Sequence, residues 1–76
     1  KDFQIFPNPA TDNISVKTPF NNCNINIYDN LGQLVRQIEV NDKIINIDVS
    51  NFTNGIYNFI IISDNNQLIK KISILK

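Results

Sequence analysis

The sequence predicts an all-β fold, a sandwich of two antiparallel sheets. Three observations carry this expectation. Apolar and polar residues alternate at period two along much of the chain, as in Asn13-Ile14-Ser15-Val16-Lys17. Clusters of Asn, Asp, Gly, Pro and Ser interrupt these runs roughly every eight to twelve residues, the spacing of a sandwich. Isoleucine and asparagine supply fifteen and fourteen of the 76 residues, which suits strands and turns and weakens any helix. No stretch of useful length joins a capping box to a 3.6-residue apolar period.

The elements follow in order. Residues 3–6 form a short apolar strand, stopped by Pro7-Asn8-Pro9, because two such close prolines do not fit inside a sheet. Residues 13–17 place Ile14 and Val16 on one face and Ser15 on the other. After a loop at 18–22, residues 23–29 put Cys23, Ile25 and Ile27 on one face, opposite Asn24 and Asn26. Asp29-Asn30-Leu31-Gly32 is a hairpin turn with a bulge, whose glycine supplies the positive φ, and 33–40 is the partner strand. Asn41-Asp42 turns the chain into 43–49, with Ile45, Ile47 and Val49 on a common face. Ser50 to Gly55 breaks the chain again before 56–63, the most apolar strand, with Tyr57, Phe59 and Ile61 on one side. Asp64-Asn65-Asn66 turns it into a final strand at 67–75. Seven strands of this kind describe an immunoglobulin-like β-sandwich.

Composition narrows the function. A single cysteine, Cys23, allows no internal disulfide, so the apolar core must hold a domain near the lower size limit for independent folding. No apolar run approaches the ~20 residues of a membrane-spanning helix. Seven basic residues balance seven acidic ones, and the only basic cluster is Lys70-Lys71 with Lys76, so the chain lacks the cationic face that nucleic acid requires. It opens at Lys1-Asp2 and contains no methionine. We therefore read residues 1–76 as one domain excised from a larger secreted protein, with any export signal lying upstream.

Catalysis finds little to work with. The absence of histidine removes the usual general base and most zinc sites. Cys23 has the inward parity of its strand and reads as a buried thiol, not a nucleophile. Asp12, Asp29, Asp48 and Asp64 stand at strand ends, where aspartate caps local backbone N–H groups, and no EF-hand spacing surrounds them. We expect no catalytic, cofactor or metal residues. The triplets Asn13-Ile14-Ser15 and Asn51-Phe52-Thr53 fit the glycosylation pattern, but chance supplies such matches in an asparagine-rich chain. Gly55 followed by Tyr57 at a strand start predicts a tyrosine corner, with the phenol bonded to backbone a few residues upstream.

Four blocks, in order and along the whole length, carry a family resemblance. Phe6-Pro7-Asn8-Pro9-Ala10-Thr11-Asp12 resembles the opening motif Y/F-P-N-P-A-x-D of the type A C-terminal sorting domains of the type IX (Por) secretion system of Bacteroidetes. The stretch from Ile25 through Tyr28-Asp29 and Gly32 to Val35 resembles the central motif v-x-i-Y-D-x-x-G-x-x-V. Ile47-Asp48-Val49-Ser50 through Gly55 to Tyr57 resembles I-D-(L/V)-S-x-L-x-x-G-x-Y, with Phe52 in place of the usual leucine. Lys70-Lys71-Ile72 resembles the closing K-K-(I/V). The resemblance implies a protein that crosses the inner membrane by an ordinary amino-terminal signal. The domain then presents it to the outer-membrane translocon, and a surface sortase cleaves near the domain's start. The cargo is released or joined to anionic lipopolysaccharide. Pro7, Asn8, Pro9, Asp12, Tyr28, Asp29, Gly32, Gly55, Tyr57, Lys70 and Lys71 are the motif residues so implied, and translocon and sortase proteins are the implied partners.

Two other readings remain open at this point. A structural or adhesive spacer module has the same sandwich. A carbohydrate-binding sandwich needs exposed rings, and without tryptophan the rings expected outside are Tyr28, Phe20, Phe3 and Phe6, with Phe52, Tyr57 and Phe59 inside. Lys70 and Lys71 admit two roles, part of a signal or protection of an edge strand.

Overall fold

Alternation along the chain becomes seven strands in the computed structural model, which describes residues 3–76. They are β1 (Gln4–Phe6), β2 (Asn13–Lys17), β3 (Cys23–Tyr28), β4 (Leu34–Val40), β5 (Ile44–Asp48), β6 (Gly55–Ser63) and β7 (Asn66–Ile74). No helix occurs among the described residues. The strands form two antiparallel sheets, β1-β2-β5 and β4-β3-β6-β7. The chain changes sheet after β2, β4 and β5, so each sheet is assembled from distant parts of the sequence. Its radius of gyration, 11.5 Å, matches the roughly 11 Å of a folded chain of this length.

The predicted strand ends shift by at most one residue, for local reasons. Asp29 leaves β3 because its groups serve the turn: its N–H donates to the Gln33 carbonyl at 2.9 Å and its carbonyl accepts from Gly32 at 3.0 Å. Gly32 takes φ +84°, and Tyr28 pairs Leu34 while Ile27 pairs Arg36, which leaves Val35 as the bulged residue. The last hairpin is tighter than expected. Ser63 pairs Asn66, so only Asp64 and Asn65 turn, with Asp64 at φ 52°, a conformation aspartate tolerates better than most residues.

Inward parity builds the core. Ile5, Ile14, Val16, Ile47 and Val49 from the three-stranded side meet Cys23, Ile25, Ile27, Val40, Tyr57, Phe59, Ile61, Ile72 and Ile74 from the other. At ~1.5–3 kcal/mol for each large apolar side chain removed from water, this layer is the main stabilising element. Phe3, expected outside, is 1% exposed and belongs to the core. It precedes β1 but shares the parity of Ile5, two residues on, and faces inward with it.

After Phe6 the chain crosses to the other sheet. The Ala10 N–H donates to the Ser73 carbonyl at 2.9 Å, and the Leu75 N–H donates to the Ala10 carbonyl at 2.9 Å. The Asn8 carboxamide oxygen accepts from the Ser73 N–H at 3.1 Å. The segment between the prolines and Ala10 thus covers part of the otherwise open β7 edge.

Candidate recognition site

Most motif residues are engaged in fixing local shape, at two places. The first is the end of the sandwich where the β3–β4 turn meets the loop before β6. The Asp29 carboxylate accepts from the N–H groups of Leu31 and Gln33 at 2.9 and 3.0 Å, holding the turn that Gly32 permits. Gly55, at φ 152°, opens β6. Tyr57 is 5% exposed, and its hydroxyl donates to the Thr53 carbonyl at 2.7 Å, the expected corner. Its ring lies 5.1 Å from that of Phe52, and the Arg36 guanidinium sits 5.1 Å from the Phe52 centroid while donating to the Asp48 carbonyl at 2.8 Å. Lys76 completes this end. Its ammonium donates to the Val49 carbonyl at 3.1 Å and to that of Ser50, and its N–H donates to the Asn54 side chain at 3.0 Å. The Lys76 contacts lie more than twenty residues away in sequence, so no local pattern points to them.

The second place is the β7 edge, where Asn8 lies near Lys70, Lys71 and Ile72 around an open groove. The two lysines do not act alike. Neighbours on a strand face opposite sides. Lys70 opposes Phe59 and turns inward, half-buried, with its ammonium 5.6 Å from the centre of the Phe3 ring. Of the two, Lys71 is exposed.

Lys71 belongs to the outer face of the four-stranded sheet. It pairs Asn58, which pairs Tyr28, which pairs Leu34, giving one row across all four strands. Tyr28 is half-buried there, so two motif residues from distant blocks share a face. Among the expected exposed rings, Phe6 is exposed, whereas Phe20 and Tyr28 are half-buried, as is Phe52, which was placed inside.

The ionisable groups suit structure. The Asp48 carboxylate accepts from the Ser50 N–H at 2.9 Å. Hydrogen bonds from the Ser50 side chain and backbone, with smaller attractions from Arg36 and Lys76, lower its pKa. The Asp12 carbonyl accepts from the Val49 N–H at 2.7 Å. Burial raises the pKa of the Cys23 thiol, partly offset by a hydrogen bond with Thr18, which disfavours the thiolate that a nucleophile needs. Among the described residues no three His, Cys, Asp or Glu side chains gather to hold a metal ion.

Comparison with known proteins agrees with this architecture. A family model described as a secretion system C-terminal sorting domain matches residues 4–75. An endo-acting ulvan lyase of Formosa agariphila is 38% identical over 78 residues, covering 99% of this chain and 15% of the lyase. The chain therefore spans about a seventh of that relative's length. In fold it resembles part of PorZ, described as an essential bacterial surface component of the type-IX secretion system of Porphyromonas gingivalis. The match has a TM-score of 0.86 at 15% identity and covers 97% of this chain and 11% of PorZ.

Proposed function

We propose, from the premise that this chain belongs to the type IX secretion-system C-terminal sorting domains, that its motif residues serve as a folded recognition label on a larger protein. The domain is a sorting signal of a non-enzymatic family, and its attached protein is secreted or reaches the cell surface. In our reading that cargo lies upstream, and translocon proteins bind the folded domain. A surface sortase then cleaves near its start, after which the cargo is released or joined to anionic lipopolysaccharide. The observation that carries the reading is the extent of the family match, residues 4–75, which takes in all four motif blocks.

Pro7, Asn8, Pro9, Asp12, Asp29, Gly32, Gly55, Tyr57 and Lys70 act here through shape. Each stands in a turn, a loop junction or a packed edge whose geometry defines the label. The test is a fluorescent reporter bearing an ordinary export signal, fused ahead of the 76 residues, in a Bacteroidetes host with the translocon. Reporter should appear at the surface, and mass spectrometry of that reporter should show the domain removed. Surface reporter that retains the domain contradicts the cleavage step alone. No surface reporter contradicts sorting, and the spacer reading takes its place.

A further inference from the structure

The two sheets present different outer faces. On the three-stranded side, Asn13, Ser15, Lys17, Asn46 and Asp48 face out, and its two exposed apolar residues, Phe6 and Ile44, stand singly on opposite edge strands. On the four-stranded side the same parity on β6 brings out Ile56, Ile60 and Ile62. Ile60 pairs Ile69 of β7, and Leu34 pairs Tyr28 at the far edge. Ile56, Ile69 and Leu34 are 49%, 58% and 50% exposed. Ile60, Ile62 and Ile69 adjoin one another, with Ile56 and the Tyr28–Leu34 pair set off from them by Asn58, and grouped exposed apolar residues of this kind mark docking sites.

Its polar content is also specific. Lys71 and Glu39 are the ionisable charges that strand parity places on this face, and they occupy opposite edge strands. Three strand spacings across the sheet and four residues along β7 separate them by about 20 Å, too far to pair and beyond the screening length of about 8 Å. Lys71 therefore stands beside Ile69 with no carboxylate of its own face to meet it. The Asn26 carboxamide oxygen, on the outward parity of β3, also has no hydrogen-bond partner among the described residues.

We infer that the outer face of the β4-β3-β6-β7 sheet is the docking surface, and that its occupant is a protein surface of apolar side chains bearing a carboxylate opposite Lys71. This rests on the sorting reading above and names the face and partner chemistry that reading requires. Charge complementarity selects the occupant. The isoleucines need an apolar counterpart, and the isolated ammonium among them needs an anion.

The test compares matched double variants in the reporter fusion. Lys71→Glu with Ile69→Ser alters the docking face. Lys17→Glu with Ile44→Ser makes the same exchange on the other sheet, where Lys17 pairs Ile44 and Ile44 is 57% exposed. Denaturant unfolding verifies that both fold, and Lys71→Glu alone keeps the test open if the first double variant does not. The docking-face change should lower surface reporter at least about tenfold, with the control within about twofold of the parent. Equal export by both variants, or equal loss in both, overturns the inference. So does a concentration-dependent dimer of the parent chain in sedimentation that the docking-face variant abolishes, because a second copy then covers the face. If the unaltered domain exports nothing, the sorting reading fails and this inference falls with it.

Discussion

Tyr57 places a phenol at the end of the core, and the Thr53 carbonyl receives its proton at 2.7 Å. Removing the hydroxyl leaves that acceptor poorly served while the ring keeps its packing. Tyr57→Phe should therefore cost about 1–3 kcal/mol in denaturant unfolding. A change within about 0.5 kcal/mol would mean that water already serves the hydroxyl. Gly55 followed two residues later by an aromatic made this contact legible, since the corner is a local arrangement. Asp48 makes a second residue-scale prediction. Its pKa lies below the ordinary 3.8 because Ser50 hydrogen-bonds the charged form. A lowered folded-state pKa stabilises the fold above the unfolded value, and that contribution is lost as pH falls through the lowered one. Melting temperature against pH should thus fall less steeply below about pH 4 in Asp48→Asn than in the parent. Parallel curves would show that the Ser50 contacts contribute nothing to stability. Lys70 shows what a residue's neighbours hide. Alternation alone turns it away from Lys71, but its seat over Phe3 depends on a residue at the other end of the chain.

Strands were legible because one buried face imposes period two, and the turns were legible because asparagine, aspartate and glycine tolerate conformations that other residues resist. The pairing of elements was less so. Nothing near Asn8 indicates that it meets Ser73, 65 residues away, or that Ala10 extends the ladder on β7. The prolines stop β1, and the segment beyond them is also an edge cover. Asn8→Ala removes the acceptor for the Ser73 N–H and should cost about 0.5–1.5 kcal/mol. Hydrogen exchange at the Ser73 amide should quicken by more than the global loss accounts for. Unchanged protection there would show that the carboxamide is dispensable to the edge.

At the scale of the whole molecule, a chain of this length has roughly 4–11 kcal/mol of stability. β7 contributes Ile72 and Ile74 to the core, and Leu68 packs against it, while Leu75 is 54% exposed. Losing two buried isoleucines at ~1.5–3 kcal/mol each, together with the β6 ladder, removes much of that total. The motif blocks were readable one by one, but their distribution was not. Asp29, Gly32, Gly55 and Tyr57 set one end, Asn8 and Lys70 set one edge, and Tyr28 and Lys71 share an outer face, a grouping that follows from the strand order β4-β3-β6-β7. A label of this kind exists only when the sandwich is closed. The most direct measurement is the ratio of surface to periplasmic reporter for fusions carrying either all 76 residues or a chain deleted from Gln67 onward. The intact domain should place most reporter at the surface, and the truncated one should leave it in the periplasm. Equal surface reporter from both fusions would contradict the claim that the folded sandwich is the signal.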